Sequence, residues 1–385
     1  MKFSILLPTR DRLELLKLAI ESVRRQDYGG WEIIVSDNAS SENLPGYLDS
    51  LGDRRIRYRR TDSLVPVTDN WNAALQGSSG DYFIMLGDDD ALTRGSLSEA
   101  SRLIEAWHSP DAIYAQAHQY AYAGVFPGRP KAFLQTGYNA FLEGASQPYR
   151  LPGAVALEMV RAAMSFRIRF GFNMQHFVVS RRLAERLAVK GLFFQSPYPD
   201  YYAANAILLA AESLVATPQP LAMIGISPRS FGWYYLNDRE AEGVEFLRNL
   251  AEPAALQALG RIRVPGSNMN DSWLLAMETL KRNFPEVAEL AVDYSRYRLL
   301  QFHALVRAKG GHGVLEVLRH MRPGEWVVHG ATVAAYGLAC LVTGAAGRRI
   351  RESIRARWNP FPRFDPHLTE VPYRDILEAA MRFGG

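Results

Sequence analysis

Three consecutive aspartates, Asp88, Asp89 and Asp90, are the residues of this sequence that most directly suggest chemistry, and they follow an apolar segment. Neighbouring carboxylates repel one another and stay ionised together only when they are solvated or bound to cations. A hard divalent cation such as Mg²⁺ or Mn²⁺ takes one or two carboxylates and completes its shell with water and phosphate oxygens. The triplet therefore predicts either a metal site or a solvated turn before the helix that begins near Thr93.

Two further polar loops follow apolar segments in the first forty residues, at Pro8-Thr9-Arg10 and at Asp37-Asn38. The segments before the loops have the content of buried strands, and helical apolar spacing separates them. We therefore predict a mostly parallel sheet with crossover helices, an α/β fold. Ligands of such sheets bind outside the carboxyl ends of the strands, so we expect all three polar loops at one edge. Taken singly, Pro8 is also typical of a strand end and Asp37 of a turn.

Four segments together resemble the family 2 glycosyltransferases of the GT-A fold, a Rossmann-like α/β fold with flanking helices. They are Ser4–Arg12, Ile33–Ser40, Asn72–Ala74 and Gly80–Asp90, and both their order and their spacing match. The resemblance covers residues 1–120 well and the following residues to about 220 loosely. It implies an inverting transfer of a sugar from a nucleotide-diphosphate donor, with Mn²⁺ or Mg²⁺ held at an Asp-x-Asp motif.

The resemblance also implies roles for individual residues. Asp37 matches the aspartate that binds the base, and Asp89 is the main expected metal ligand, with Asp88 and Asp90 beside it. The sequence departs from the family's Asp-x-Asp-Asp pattern at Gly87, which stands at its first position. Asn72 alone is equally typical of a buried polar residue bonded to backbone. The residues expected to contact the nucleotide-sugar are Pro8, Thr9, Arg10, Arg12, Asp37, Asn38, Asn72 and Asp88.

An inverting transfer needs a general base within hydrogen-bonding reach of the acceptor hydroxyl. In the family, an acidic residue at the start of a helix behind the acceptor pocket has this role, and Asp200 resembles it. The usual acidic pair is absent because Pro199 precedes Asp200. A single Asp after proline is also a common helix N-cap. We nevertheless predict that Asp200 is the catalytic base.

Two other segments carry candidates for contacts to the acceptor or to the diphosphate. The stretch 165–177 mixes cations with aromatic residues, which can bind sugars by stacking and phosphates by arginine forks. The same stretch is typical of an amphipathic core element with a satisfied histidine. The loop 227–233 follows a predicted strand and could close over the donor. The candidates are Arg167, Arg169, His176, Arg229, Ser230 and Trp233.

Composition narrows the class of protein. The 385 residues include 44 Lys plus Arg and 40 Asp plus Glu, a net charge of +4, which argues against a dedicated nucleic-acid binder. Hydrophobic residues make up 48%, as in a globular chain with a large core. The single cysteine, Cys340, excludes an internal disulfide framework and a zinc site built from cysteines. The apolar run before Pro8 is too short for a signal peptide, so we expect a cytoplasmic protein.

We predict a glycosyltransferase domain at residues 1–240, with a nucleotide-sugar half at 1–120 and an acceptor half at 121–240. Helical spacing of apolar residues then predicts a mostly helical C-terminal extension at 241–385. Within it, residues 326–347 are uncharged apart from His329 and precede an Arg-rich stretch to residue 358. This region predicts a buried helix, a monotopic contact with anionic lipid at the inner face of the cell membrane, or a membrane span.

The function predicted from these features is inverting transfer of a sugar to a hydroxyl of a glycan or lipid-linked acceptor, in surface polysaccharide or glycan assembly. A sugar-nucleotidyltransferase is one alternative, although no Gly-rich, Lys-containing phosphate loop is present. A non-catalytic nucleotide-sugar-binding module is the other. The sequence carries no signal for the oligomeric state, the sugar or the base.

Overall fold

The computed structural model describes residues 1–126, 130–237, 239–248, 259–309, 319–327 and 369–383, together with positions 257, 316 and 338. The chain divides into two compact units. The first consists of Met1–Val160, Arg169–Leu250 and His367–Gly385, and the second of Arg161–Ile168 and Ala251–Pro366.

The N-terminal part of the first unit is a parallel α/β sheet. Strand β1 pairs in parallel with β2 on one side and with β4 on the other, and β2 pairs in parallel with β3. The apolar residues of β1 and β2 pack against Leu16, Ile20 and Val23 of α1, all fully buried. The elements are β1 (Phe3–Thr9), α1 (Leu13–Arg24), β2 (Trp31–Asp37), α2 (Leu44–Ser50), β3 (Ile56–Arg60), α3 (Val67–Gln76) and β4 (Tyr82–Met85).

The later strands make the sheet mixed. Strand β9 lies between β4 and β6 and is antiparallel to both, whereas β10 is parallel to β6. The elements are β5 (Ala91–Leu92), α4 (Ser96–Ala106), β6 (Ala112–Ala121), β7 (Ala132–Gln135), β8 (Tyr149–Arg150), α5 (Gly153–Met164), β9 (Phe177–Ser180), α6 (Arg181–Ala188), α7 (Pro199–Ala210), β10 (Leu214–Ile226), α8 (Phe231–Leu236) and α9 (Glu240–Leu247).

The predicted α/β class with flanking helices is therefore confirmed, and its parallel pairing is concentrated in the first four strands. The start of β9 lies opposite the carboxyl end of β4, because Val178 pairs with Ile84 and Ser180 with Tyr82. The one-turn 3-10 helix Met174–His176 just before β9 is consequently at the carboxyl edge of the sheet.

The described residues of the second unit are mainly helical, as predicted for the extension. They include α10 (Asn268–Asn283) and α11 (Tyr294–Lys309). A polar contact joins these two helices, since the carboxylate of Asp271 accepts hydrogen bonds from Tyr297 Oη at 2.5 Å and from Gln301 Nε2 at 2.7 Å. The indole of Trp273 is fully buried and donates to the carbonyl of Ala163.

The predicted extension at 241–385 requires a correction, because residues 369–383 belong to the first unit. Strand β11 (Thr369–Val371) pairs with the edge of β7, and helix α12 (Ile376–Arg382) follows it. Ile376, Ala379 and Ala380 are fully buried against residues of β5, β6 and β10. The physical reason is that β7 offers an unpaired edge and its neighbours an apolar face, which this amphipathic segment covers.

The predicted membrane-contacting region 326–358 lies outside the described residues except for positions 326, 327 and 338. Within the described part of the chain, no helix combines the length and the apolar character that crossing a bilayer requires.

Candidate active site

The three aspartates, here named the carboxylate cluster (Asp88, Asp89 and Asp90), lie just beyond β4 at the carboxyl edge of the sheet. All three are buried. Asp88 Oδ2 accepts a hydrogen bond of 2.6 Å from Thr9 Oγ1, at the end of the neighbouring strand β1. Burial raises the pKa of Asp88 to about 6, although the charge of Arg12 opposes that rise. The predicted convergence of the first and third polar loops is therefore observed.

Arg12 provides a positive charge within this cluster. Its Nε lies 3.2 Å from Asp88 Oδ2 and its Nη1 lies 3.8 Å from Asp89 Oδ2. Burial alone would lower the pKa of Arg12, but the charges of the three aspartates outweigh burial and raise it. The side chain, 11% exposed, is thus a largely buried and permanently charged counter-ion to the cluster.

Asp90 is held by donors from three parts of the chain. Its Oδ2 accepts from the backbone N–H of Gly87 at 2.7 Å and from Gln175 Nε2 at 2.6 Å, and its Oδ1 accepts from the backbone N–H of Gly225 at 2.8 Å. Burial and the charge of Asp89 raise the pKa of Asp90 to about 8. Three donors bond the two oxygens of Asp90, which leaves it less coordination capacity than Asp89, and its contribution to a metal site stays a prediction.

Gly225 is required at its position by close backbone packing. A Cβ built at Gly225 would lie 1.8 Å from the carbonyl oxygen of Asp89. Gly225 stands inside β10, where a glycine often marks a close approach of another backbone. This is the sequence signal by which the contact between β10 and the cluster could have been anticipated.

Asp89 is the member of the cluster that best fits a divalent cation. Its Oδ2 accepts a hydrogen bond of 2.8 Å from Ser227 Oγ, which leaves coordination capacity on the carboxylate. Across the described ranges, no group of three or more His, Cys, Asp or Glu side chains is arranged to hold a metal. A cation here would therefore depend on Asp89, on water and on phosphate oxygens from a ligand, as Mg²⁺ commonly does.

The second polar loop, around Asp37, has a different arrangement. Asp37 is fully buried, and its carboxylate accepts from the backbone N–H of Ser40 and from Tyr58 Oη, at 2.8 and 2.7 Å. Arg60 Nη1 lies 3.2 Å from Asp37 Oδ2. The pairing of Thr9 with Asp37 places Asp37 at the same edge as the carboxylate cluster. Tyr58 and Arg60 were missed in the sequence because β3 follows Asp37 by some twenty residues.

Asn38 and Asn72 are both bonded to backbone. Asn38 donates to the carbonyl of Val65 and accepts from its N–H, each at 2.9 Å. Asn72 accepts from the N–H of Phe194 at 3.1 Å and donates to its carbonyl at 2.9 Å. Pro8 is buried within β1 and pairs with Ser36. The two asparagines fix loops around the edge of the sheet. Their predicted contacts with the nucleotide-sugar stay predictions.

Residues 227–237 and 239–248, here named the covering segment, contact the first polar loop. Arg229 Nη1 donates to the carbonyl of Asp11 at 2.5 Å, and Arg10 donates to the carbonyl of Phe246. The guanidinium of Arg10 lies 5.0 Å from the centroid of the Phe246 ring. Ser230 Oγ is bonded to the backbone of Ser227 at the start of α8. The prediction that this loop approaches the donor side is consistent with these contacts.

Trp233 lies within the covering segment but contacts other members of it. Its ring packs edge-on against Tyr234 with centroids 5.1 Å apart, and the guanidinium of Arg239 lies 5.1 Å from its centroid. Its role as a donor or acceptor contact therefore stays a prediction.

Asp200 occupies the first turn of α7 and differs from the cluster in its hydrogen bonding. Its Oδ1 has no hydrogen-bonding partner among the described residues, while the backbone of Met174 bonds its carboxylate. Burial raises the pKa of Asp200 to about 7. Gln175, the residue after Met174, donates to Asp90. The turn Met174–His176 therefore contacts Asp200 through Met174 and the carboxylate cluster through Gln175. Sequence analysis singled out the stretch 165–177 for its cations and aromatic residues, but not Gln175, a neutral amide within it.

The prediction that His176 contacts the acceptor or the diphosphate is wrong. The ring is fully buried, and its Nδ1 lies 3.0 Å from the carbonyl oxygen of Ala115. Burial lowers the pKa of His176 to about 4, so the ring is a neutral core residue. Arg167 lies in the second unit and Arg169 in the first, and both are exposed.

Comparison with known proteins shows what the site is similar to. Residues 4–163 match the family described as glycosyl transferase family 2. The putative colanic acid biosynthesis glycosyl transferase WcaA of Escherichia coli K12 is 39% identical over 97 residues, covering 25% of this chain and 35% of that protein. The GalNAc(5)-diNAcBac-PP-undecaprenol beta-1,3-glucosyltransferase of Campylobacter jejuni is 38% identical over 100 residues, covering 25% of this chain and 32% of that protein.

Among solved structures, S. aureus TarS 1–349 aligns with a TM-score of 0.48 and 16% identity over 84% of this chain and 92% of that chain. The chain spans about a third of the length of the curated relatives that it matches, at 35% and 32%. The family match includes β1 to β4, Arg12 and the whole carboxylate cluster. Through residues 4–163, the chain is therefore similar to glycosyl transferase family 2.

Proposed function

We propose that the protein is an inverting glycosyltransferase that moves a sugar from a nucleotide-diphosphate donor to an acceptor hydroxyl. The observation that carries this proposal is the pairing of two kinds of acid through the turn Met174–His176. One is the buried carboxylate cluster at the edge of the sheet. The other is Asp200, which has one oxygen without a hydrogen-bonding partner among the described residues and a pKa raised to about 7. A base with such a pKa is suited to general catalysis near neutral pH.

In the proposed reaction, Asp200 accepts the proton of the acceptor hydroxyl while that oxygen attacks the anomeric carbon. A bond forms between the acceptor oxygen and the anomeric carbon, and the bond from this carbon to the diphosphate oxygen breaks. The electron pair of the broken bond leaves with the nucleoside diphosphate. Attack from the face opposite the leaving group inverts the configuration, and the transition state has oxocarbenium character by analogy with glycoside hydrolysis.

The donor side is proposed to use the residues that converge at the edge of the sheet. Asp37 and the adjacent ends of β1 and β2 would receive the nucleoside, because ligands of such sheets bind beyond the carboxyl ends of the strands. Arg10, Arg12 and Arg229 supply positive charge near a diphosphate. Asp89 would hold Mg²⁺ or Mn²⁺, which when bound neutralises charge developing on the leaving diphosphate.

The acceptor is proposed to be a glycan or a lipid-linked glycan of surface polysaccharide assembly. The names of the matched relatives support this class, since one acts in colanic acid biosynthesis and another on an undecaprenol diphosphate glycan. A protein with such an acceptor would work at the inner face of the cell membrane. This part of the proposal rests on similarity over a quarter of the chain.

The first experiment is thermal unfolding of the protein with UDP, GDP, CDP and dTDP, each with and without Mn²⁺. A nucleotide at about 100 times its Kd stabilises the folded state by roughly 2.7 kcal/mol. We expect one diphosphate to raise the unfolding temperature in the presence of Mn²⁺, and the corresponding nucleotide-sugars then enter a nucleoside-diphosphate release assay. Binding without turnover on any acceptor would favour the non-catalytic module. Release of pyrophosphate from a nucleoside triphosphate would favour the nucleotidyltransferase.

A further inference from the structure

The geometry around Arg12 suggests a role that goes beyond contact with a donor. The Arg12 side chain is 11% exposed, and the Asp88 and Asp89 side chains it approaches are 1% and 10% exposed. The guanidinium therefore lies within 4 Å of an oxygen of each of the two adjacent carboxylates. Two neighbouring carboxylates that can bind the same ion are also the ligands that a divalent cation uses. Arg12 and a divalent cation consequently require the same place.

Charge makes joint occupancy of that place unfavourable. A guanidinium cannot release its proton in a protein, so Arg12 has no route to neutrality when a second cation arrives. Like charges a few ångströms apart repel strongly in a buried setting. For Asp88 and Asp89 to coordinate a cation together, Arg12 has to move away from them.

The contacts of Arg12 with the cluster are compatible with such movement. Its Nε has no well-formed hydrogen bond in the described part of the chain, although it lies 3.2 Å from Asp88 Oδ2. The contact to Asp89 is longer, at 3.8 Å. Charge attraction, with little directed hydrogen bonding, therefore holds the guanidinium at the cluster. A ligand that offers it two acceptor oxygens would bind it in a better geometry.

Two further features limit where Arg12 can move. The ring of Phe246, in the covering segment, has its centroid 6.0 Å from the guanidinium carbon. Arg10, two residues earlier, also contacts Phe246, through its ring and its carbonyl. If Arg12 leaves the carboxylates, its side chain therefore stays between the first polar loop and the covering segment. This is where the diphosphate would bind under the proposed function.

We propose that Arg12 is a resident counter-cation that competes with a divalent cation for Asp88 and Asp89 and transfers its contact to the donor diphosphate. This inference rests on the proposed function. Its consequence is that the protein binds a divalent cation weakly alone and much more tightly with a nucleoside diphosphate. Arg12 is accordingly a positioning residue that sets the order in which the two ligands bind.

The test is a titration of the full-length protein with Mn²⁺ alone. The concentration of free Mn²⁺ is measured by electron paramagnetic resonance at each step. Arg12→Gln removes the competing charge, and we expect Mn²⁺ to bind it about tenfold or more tightly than the wild type. Arg12→Lys keeps a positive charge and is expected to bind Mn²⁺ more weakly than Arg12→Gln does. Arg102→Gln is the control, because Arg102 is an exposed arginine of α4 that pairs with Glu99, and its Mn²⁺ affinity should stay within about twofold of wild type.

Equal or weaker Mn²⁺ binding by Arg12→Gln would overturn the proposal. Circular dichroism verifies the folding of each variant. If Arg12→Gln does not fold, Arg12→Met, which is of similar length and also uncharged, replaces it in the comparison with wild type. A parallel titration of the wild type with the four nucleoside diphosphates separates the two proposals. Nucleotide binding with no effect of Arg12→Gln on Mn²⁺ affinity would refute the role of Arg12 alone. Absence of nucleotide binding would refute the proposed function.

Discussion

The carboxylate cluster and Asp200 differ in how completely the protein holds them. Asp90 receives donors from Gly87, Gln175 and Gly225, and Asp88 is bonded to Thr9 and paired with Arg12. Asp200 has one oxygen without a partner in the described residues. A carboxylate fixed by many donors has a set position and orientation, whereas an incompletely bonded one has an oxygen available for a proton from a ligand. Under the proposed function, the cluster would hold the nucleotide-sugar and Asp200 would react with the acceptor hydroxyl.

The sharpest way to break this comparison is Asp200→Asn. The amide keeps the size of the side chain but cannot accept the hydroxyl proton, so turnover should fall by about 10²–10⁴-fold. Donor affinity should change little because Asp200 lies outside the cluster. The measurement is nucleoside-diphosphate release at saturating substrates, with Asp49→Asn, an exposed acid of α2, as the control. Full activity of Asp200→Asn would remove it as the base.

The corresponding test of the cluster is Asp89→Ala. Loss of the carboxylate that best fits a cation should weaken metal-dependent donor binding by roughly 10–100-fold. Calorimetric titration with the nucleoside diphosphate and Mn²⁺ gives the affinity directly. Unchanged donor affinity in Asp89→Ala, or an equal loss of affinity in Asp200→Asn, would contradict the division of roles.

The pH dependence of turnover sharpens the same comparison. With the pKa of Asp200 raised to about 7, the base is protonated below that pH, and kcat/KM should fall about tenfold for each further pH unit. The dependence of kcat/KM on pH is measured between pH 5 and 9 in buffers of constant ionic strength. A rate that is flat down to pH 5 would show that Asp200 titrates normally or that another group acts as the base.

The raised pKa of Asp200 also predicts a stability change. A carboxyl with a folded-state pKa above its unfolded value destabilises the native protein progressively as pH rises between those two values. Asp200→Asn lacks this penalty, so at pH 8 it should be more stable than wild type by about 1–3 kcal/mol. The difference should shrink towards pH 4. Denaturant unfolding at both pH values checks this, and a gain independent of pH would have another cause.

The smallest expected effect concerns Asn72. Its side chain bonds both backbone groups of Phe194, and removing it leaves buried donors and acceptors unpaired. We expect Asn72→Ala to destabilise the protein by about 1–3 kcal/mol while donor affinity stays almost unchanged. Unfolding and nucleotide titration of the same sample distinguish the two effects. A large loss of donor affinity with normal stability would restore its predicted donor role.

The sequence was sufficient to predict the α/β fold and the edge at which the site lies. Alternating strands and helices require parallel pairing, and parallel pairing brings Thr9, Asp37 and Asp88 to one edge. The donors that hold Asp90 were not predictable in the same way, because Gln175 and Gly225 are 85 and 135 residues away along the chain. Asp37 and Asn72 show the same limit, since residue type predicts a polar contact but leaves its partner open.

The return of residues 369–383 to the first unit has a consequence for how that unit forms. Thr369 pairs with Leu134, and the second unit occupies most of the chain between these partners. Contacts of such long sequence separation slow folding, because the intervening chain must be ordered or looped before they form. On the ribosome, the edge of β7 and the apolar face beside it stay uncovered until this segment has been synthesised. Assembly of the first unit therefore cannot be completed before residues 369–383 have been synthesised.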